Sequence, residues 1–167
     1  TYSAWVKRTK LSLSASNVLL GSNVTSGVSQ TSIGFDTNET FTLRSRQVGS
    51  TNGAASSTEV YRDTSAWYHI MLVLDSTQGT EADRAKIYIN GTQATIGADR
   101  TISQNYSFSI FRSRAVNYMG NMSGSSEFFD GYLAEVHLID GQALDPSYFG
   151  FTSQNGTWLP KKYTGGN

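Results

Sequence analysis

At 167 residues, the chain has the length of one domain and is long enough to bury a substantial core. Lys plus Arg and Asp plus Glu both number 13, so net charge is zero, without the basic footprint of a nucleic-acid binder. The absence of Cys excludes disulfides and thiolate metal sites, and no apolar run approaches the roughly 20 residues of a membrane-spanning helix.

In chain order, short strands and turns follow one another. Residues 2–7 (YSAWVK) alternate and read as a strand. Residues 17–21 (NVLLG) form a short buried strand. Residues 31–35 and 40–45 are two more, separated by the turn formers Asp36, Thr37 and Asn38. Phe41 and Leu43 point inward, Thr42 and Arg44 outward. Residues 47–57 (QVGSTNGAASS) read as a polar loop, and 58–62 (TEVYR) as a strand.

Residues 67–91 (WYHIMLVLDSTQGTEADRAKIYING) carry the strongest local signal. Residues 67–74 are apolar at nearly every position except His69, as in a strand covered on both faces. A polar loop leads to residues 85–89, where Ala85, Ile87 and Ile89 share one face and Lys86 and Tyr88 the other. Asn90-Gly91 predicts a type I′ turn, which needs positive φ at both central residues.

A short return strand reaches Ile96, and 97–105 is loop. Residues 106–111 (YSFSIF) alternate and read as a strand; 116–119 is another, and 121–126 is loop. Residues 128–139 (FFDGYLAEVHLI) predict a long strand bent at Asp130-Gly131. Asp145 and Pro146 predict one helical turn over 145–149, with Asp as N-cap and Pro at the first position. The tail, 155–167, is Gly-rich, with Trp158 and Tyr163 as anchors. The expected fold is an all-β, two-sheet antiparallel sandwich forming a single domain over 1–167.

The stretch 67–91 resembles the core signature of the concanavalin A-like lectin/glucanase superfamily, in its laminin-G-like and pentraxin-like branch. The shared features are a Trp-Tyr-His strand, an Asp-containing loop and a Tyr-x-Asn-Gly hairpin. FFDGYLAEVHLIDGQALDPSYFG resembles the closing signature of that branch, and SAWVKR its early strand. With NGTWLPKKYTGGN after it, the closing stretch is similar to a version found in phage tail fibres and other virion appendages. The resemblance implies a jelly roll whose concave face and rim loops carry ligands in sugar-binding relatives. It also implies a segment of a longer chain, in keeping with an opening on Thr1-Tyr2-Ser3 already inside a strand pattern.

Chemistry is sparse. A retaining glycosidase needs two carboxyls about 5 Å apart, and the superfamily's glucanases carry them as Glu-x-Asp-x-(x)-Glu. Glu81-Ala82-Asp83 has no following Glu, Glu127 and Asp130 flank two phenylalanines, and Glu135 stands alone. His69 and His137 are the only histidines, too few for a zinc site without Cys. The chain is therefore expected to be non-enzymatic. Relatives in the branch bridge to ligands through calcium, and Asp75, Glu81 and Asp83 in the central loop are the candidate ligands.

Sugar sites combine an aromatic platform with polar groups. Tyr106, Trp158 and Tyr163 are the candidates, with Arg112 for acidic glycans; Trp5 and Trp67 are expected in or around the core. The leading expectation is a virion appendage module that attaches to a host-surface glycan. It would sit on the phage particle, contact other virion proteins, and assemble as a trimer. The alternatives are an extracellular glycan-binding domain of a cellular organism and, third, a glycan-cleaving enzyme.

Overall fold

The computed structural model describes residues 1–11, 14–24, 29–47, 50–124 and 126–165. Residues 48, 49 and 125 of the expected loops, and 166–167 of the tail, lie outside that description. The chain forms the expected jelly-roll sandwich. Its elements are β1 (Tyr2–Arg8), β2 (Asn17–Val24), β3 (Ser29–Phe35), β4 (Thr40–Gln47), β5 (Ser50–Val60), β6 (Tyr68–Leu74), β7 (Ala85–Ile89), β8 (Thr92–Gln93), β9 (Ala115–Met119), β10 (Gly131–Leu138), β11 (Gly150–Thr152) and β12 (Trp158–Pro160). One antiparallel sheet has the order β10-β1-β6-β7-β8, the other β5-β4-β3-β2-β9. A small hairpin, β11–β12, stands apart. Helical structure among the described residues is limited to three 3-10 turns.

The core lies between the sheets, where alternate residues of each strand meet. Ala4 and Val6 of β1, Ile70 and Leu72 of β6, and Ala85 and Ile87 of β7 face Ile33 and Phe35 of β3 and Phe41 and Leu43 of β4. The hairpin signal holds: Asn90 and Gly91 have φ of 50° and 77°, and Ile89 pairs with Thr92 across them. So does the helical turn: Asp145 accepts a hydrogen bond from the Ser147 N–H at 2.9 Å ahead of Pro146–Tyr148.

Three expectations need correction. The stretch 47–57 is not a loop; most of it belongs to the edge strand β5, paired with β4. One of its inward positions, Gly53, is small because aromatic rings lie against it. A Cβ on Gly53 would sit 3.1 Å from Phe108 and 3.3 Å from Tyr106. Conversely, 106–111 is not a strand. It crosses one end of the sandwich and ends in the 3-10 turn Ser109–Phe111. Its alternation arises because Phe108 and Ile110 plug the core, while Ser109 joins a buried hydroxyl network. The Tyr106 hydroxyl donates to Ser45 Oγ at 3.0 Å, Ser45 Oγ lies 2.8 Å from Thr31 Oγ1, and Ser109 donates to Thr31 Oγ1 at 2.8 Å. The strand predicted from 128 begins only at Gly131, where a Cβ would lie 2.2 Å from the Lys7 carbonyl oxygen.

At one end of the core sits an ion pair that the sequence pattern did not reveal. Arg8 is 0% exposed and reaches Glu39 at 2.5 Å. Its guanidinium also donates to the Tyr61 carbonyl at 2.5 Å and lies 4.2 Å from the centre of the Phe35 ring.

Candidate functional site

The outer faces of the two sheets differ. The second sheet turns Gln30, Ser32 and Gly34 of β3 and Thr42, Arg44 and Arg46 of β4 away from the core, as strand alternation requires. With Ser16, Val18, Met122 and Glu127 they line a groove of about 150 Å³. Gly21 and Gly34 hold its shape. A Cβ on Gly21 would strike the Asn121 carbonyl oxygen at 2.4 Å, and one on Gly34 the Asn17 carbonyl oxygen at 2.2 Å.

Two of the groove's polar side chains, Arg44 and Thr42, are held by neighbours outside it. Arg44 is ion-paired with Asp36, whose other oxygen accepts from Ser16 at 3.3 Å and from the Thr37 N–H at 2.8 Å. Beside the groove, Thr42 Oγ1 lies 2.8 Å from Ser56 Oγ, which donates to Asp99 at 2.6 Å. Hydroxyls, an amide, guanidinium groups and the Glu127 carboxylate thus converge on one shallow surface, able to exchange hydrogen bonds with a polyhydroxylated ligand.

The first sheet's outer face is apolar and largely covered. Met71 and Val73 of β6 are buried under Phe149, Leu144 and Tyr163. His69 is fully buried beside them. Its Nε2 lies 2.9 Å from Ser3 Oγ. Its ring centre lies 5.3 Å from that of Trp5 and 5.8 Å from that of Trp158. Burial, with a smaller contribution from the charge of His137, pushes its pKa down to about 4, so the imidazole is neutral.

Next to this covered patch, Trp5, Trp67, Ala134, Glu135, Trp158, Leu159 and Pro160 line an open cleft of about 300 Å³. The expectation that Trp67 packs in or around the core is therefore corrected: it is 42% exposed. Trp5 points to the outer side of its sheet because β1 alternates, with Ala4 and Val6 taking the inner positions.

The remaining predicted residues do not meet in one place. The Tyr106 ring stands edge-on to Phe108, with centres 4.9 Å apart, and its hydroxyl is spent on Ser45. Arg112 donates to Ser107 Oγ and Ser29 Oγ, both at 3.1 Å. Tyr163 stacks on Phe149 at 5.0 Å. Tyr106 lines a cavity of about 450 Å³ together with Phe108 and the calcium candidate Asp75, and Trp158 lines a cleft together with Trp5 and Trp67. Sequence reasoning placed Thr42 and Arg44 on the outward face but did not name Gln30, Ser32 or Arg46. The same alternation rule applied to β3 identifies the first two.

The calcium candidates do not fit a metal as they stand. Asp75 accepts from Thr77 Oγ1 and Gln78 Nε2, both at 2.6 Å, and from the Thr77 N–H. These bonds hold its pKa below the usual carboxylate value. Asp83 pairs with Lys86 at 3.1 Å. Asp75 and Asp83 share the rim of a cavity, but Glu81 does not line it. Among the described residues no three His, Asp or Glu side chains come together to hold an ion.

The chain belongs to the concanavalin A-like lectin/glucanases superfamily, whose laminin G family model matches residues 1–147. Among solved structures it is similar to mouse laminin alpha1 chain, domains LG4-5. The TM-score is 0.56 and the identity 10%, over 87% of this chain and 36% of that one. It is also similar to the native heptameric SAP-like pentraxin of Limulus polyphemus, with a TM-score of 0.48 and 17% identity, over 81% of this chain and 60% of that one. The chain thus spans less than two thirds of either. No curated protein sequence matches.

Proposed function

We propose that the chain is a non-enzymatic glycan-binding adhesion module and that the groove on the second sheet holds the glycan. The observation that carries this reading is the asymmetry of the outer faces. One is largely covered by the chain's own apolar residues, while the other presents Gln30, Ser32, Thr42, Arg44, Arg46 and Glu127 on a surface kept open. Sugar hydroxyls need such a mixture of donors and acceptors. Membership of a lectin-type superfamily supports the same reading.

The finer proposal is a phage virion appendage that attaches to a host-surface glycan. Its support is the likeness of the closing segment to that of tail-fibre proteins. Exposed Val116 and Met119 on β9, with Phe128, Tyr132 and Leu138 on or before β10, supply apolar surface for trimerisation or for contact with other virion proteins.

A glycan array tests the central claim. Retention of at least one glycan class is expected, weakened about tenfold by Arg46→Ala, the loss of one charge-assisted hydrogen bond. No retention on the array, with or without added calcium, overturns it.

A further inference from the structure

We propose that the three-tryptophan cleft is a second ligand site, which takes the apolar face of a neutral pyranose ring. It lies on the other sheet from the groove, so it stands or falls separately from the function proposed above. The chain has three tryptophans, and all three line this one cleft.

The cleft is built rather than incidental. Three of its lining residues, Trp158, Leu159 and Pro160, come from beyond residues 1–147 that match the family. Trp158 is seated against two glycines. A Cβ on Gly91 would lie 2.5 Å from its ring, and one on Gly150 2.4 Å. Trp5 and Trp158 flank the same buried imidazole, at 5.3 and 5.8 Å. That imidazole is tied to Ser3. Two of the three indoles are therefore held in place before any ligand arrives, which lowers the ordering cost of binding. The third, Trp67, is 42% exposed, with its ring tilted towards Tyr132 at 6.5 Å.

The lining chemistry names the occupant. Indole faces take the C–H face of a sugar ring. Glu135 is the one charged group in the lining. It sits at a bulge where Ser3 pairs with His137 but Trp5 pairs with Ala134, and its φ is 48°. Its carboxylate is 57% exposed, able to accept hydrogen bonds from ring hydroxyls and unfavourable to sulfated or carboxylated sugars. A volume of about 300 Å³ open to solvent suits a flat ring on a platform. A small quaternary ammonium group needs aromatic faces closed around it.

The probe is a neutral β-linked glucose or N-acetylglucosamine trisaccharide, titrated into the full chain while intrinsic tryptophan fluorescence is read. Because every tryptophan lines the cleft, the signal reports this site and not the groove. A saturating change is expected. Trp67→Ala, which removes an exposed side chain and preserves the unfolding temperature, weakens it about tenfold or more. Glu135→Gln allows a sulfated analogue to bind more tightly than it binds the wild type. The proposal is overturned if neither trisaccharide changes the fluorescence. It is also overturned if Trp67→Ala binds as the wild type does, or if choline chloride saturates the site and the sugars do not.

Discussion

Single residues decide how this sandwich tolerates charge in its interior. Arg8 and Glu39 are both buried and reach each other at 2.5 Å. Removing one partner strands a charge away from water. Glu39→Gln should therefore cost roughly 3–5 kcal/mol of stability, measured by urea unfolding. Replacing both, as Arg8→Met with Glu39→Leu, should cost less than the two single changes added together. An additive double variant would show that the pair does not act as a unit.

His69 makes the opposite choice and stays neutral, with its pKa pushed down to about 4 by burial. Above the unfolded-state value of about 6.5 it has no effect on stability, because both states are uncharged. As pH falls below that value the unfolded chain takes up a proton that the fold refuses. The loss grows until about pH 4, where the folded state protonates as well, and reaches roughly 3 kcal/mol. Unfolding free energies of the wild type and His69→Gln between pH 7 and 4 check this. The wild type should lose stability through that window, and the variant should lose markedly less. Parallel profiles would refute it.

Among the elements, the hairpin turn at Asn90-Gly91 does two jobs. Gly91 adopts φ of 77° and leaves room for the Trp158 ring, 2.5 Å from where a Cβ would stand. Gly91→Ala should therefore destabilise by more than the ordinary penalty of about 1 kcal/mol for Ala at positive φ, because it also dislodges the indole. Loss of near-ultraviolet dichroism from tryptophan, together with a lower unfolding temperature, is the expected result. A variant with native dichroism would show that Trp158 is not wedged there.

The turn itself was legible because its φ requirement is local. So were β6, apolar but for His69 and mostly buried, and β4, whose Phe41 and Leu43 face the core while Arg44 is exposed. The elements that misled are those whose pattern is written by neighbours. β5 reads as a loop in part because Tyr106 and Phe108 leave room only for a glycine, Gly53, opposite them. Residues 106–111 read as a strand because Phe108 and Ile110 must reach the core from an irregular path. The candidate site was less legible still. Trp5, Trp67 and Trp158 are far apart in the chain, and only the register of β1 with β6 and the return of β12 bring them to one cleft.

At the scale of the whole molecule, a sandwich has two outer faces, and this chain treats them differently. The second sheet leaves its face to solvent and hydroxyl chemistry. The first cannot, because Met71 and Val73 point outward from β6 and need cover. That cover comes from 144–163, mostly beyond the part that matches the family. Burying each such side chain contributes about 1.5–3 kcal/mol. A chain ended after Ser147 uncovers the patch while leaving the main core, from Ala4 to Ile110, intact. It should therefore retain strand structure by far-ultraviolet dichroism, lose several kcal/mol of stability, and bind more of a hydrophobic dye than the full chain does. Phe149→Ala, a smaller lesion in the same patch, should cost about 3 kcal/mol. If the shortened chain unfolds at the temperature of the full one and binds no more dye than it, the closing segment is not structural cover. Its apolar residues would then have to be explained by what they bind.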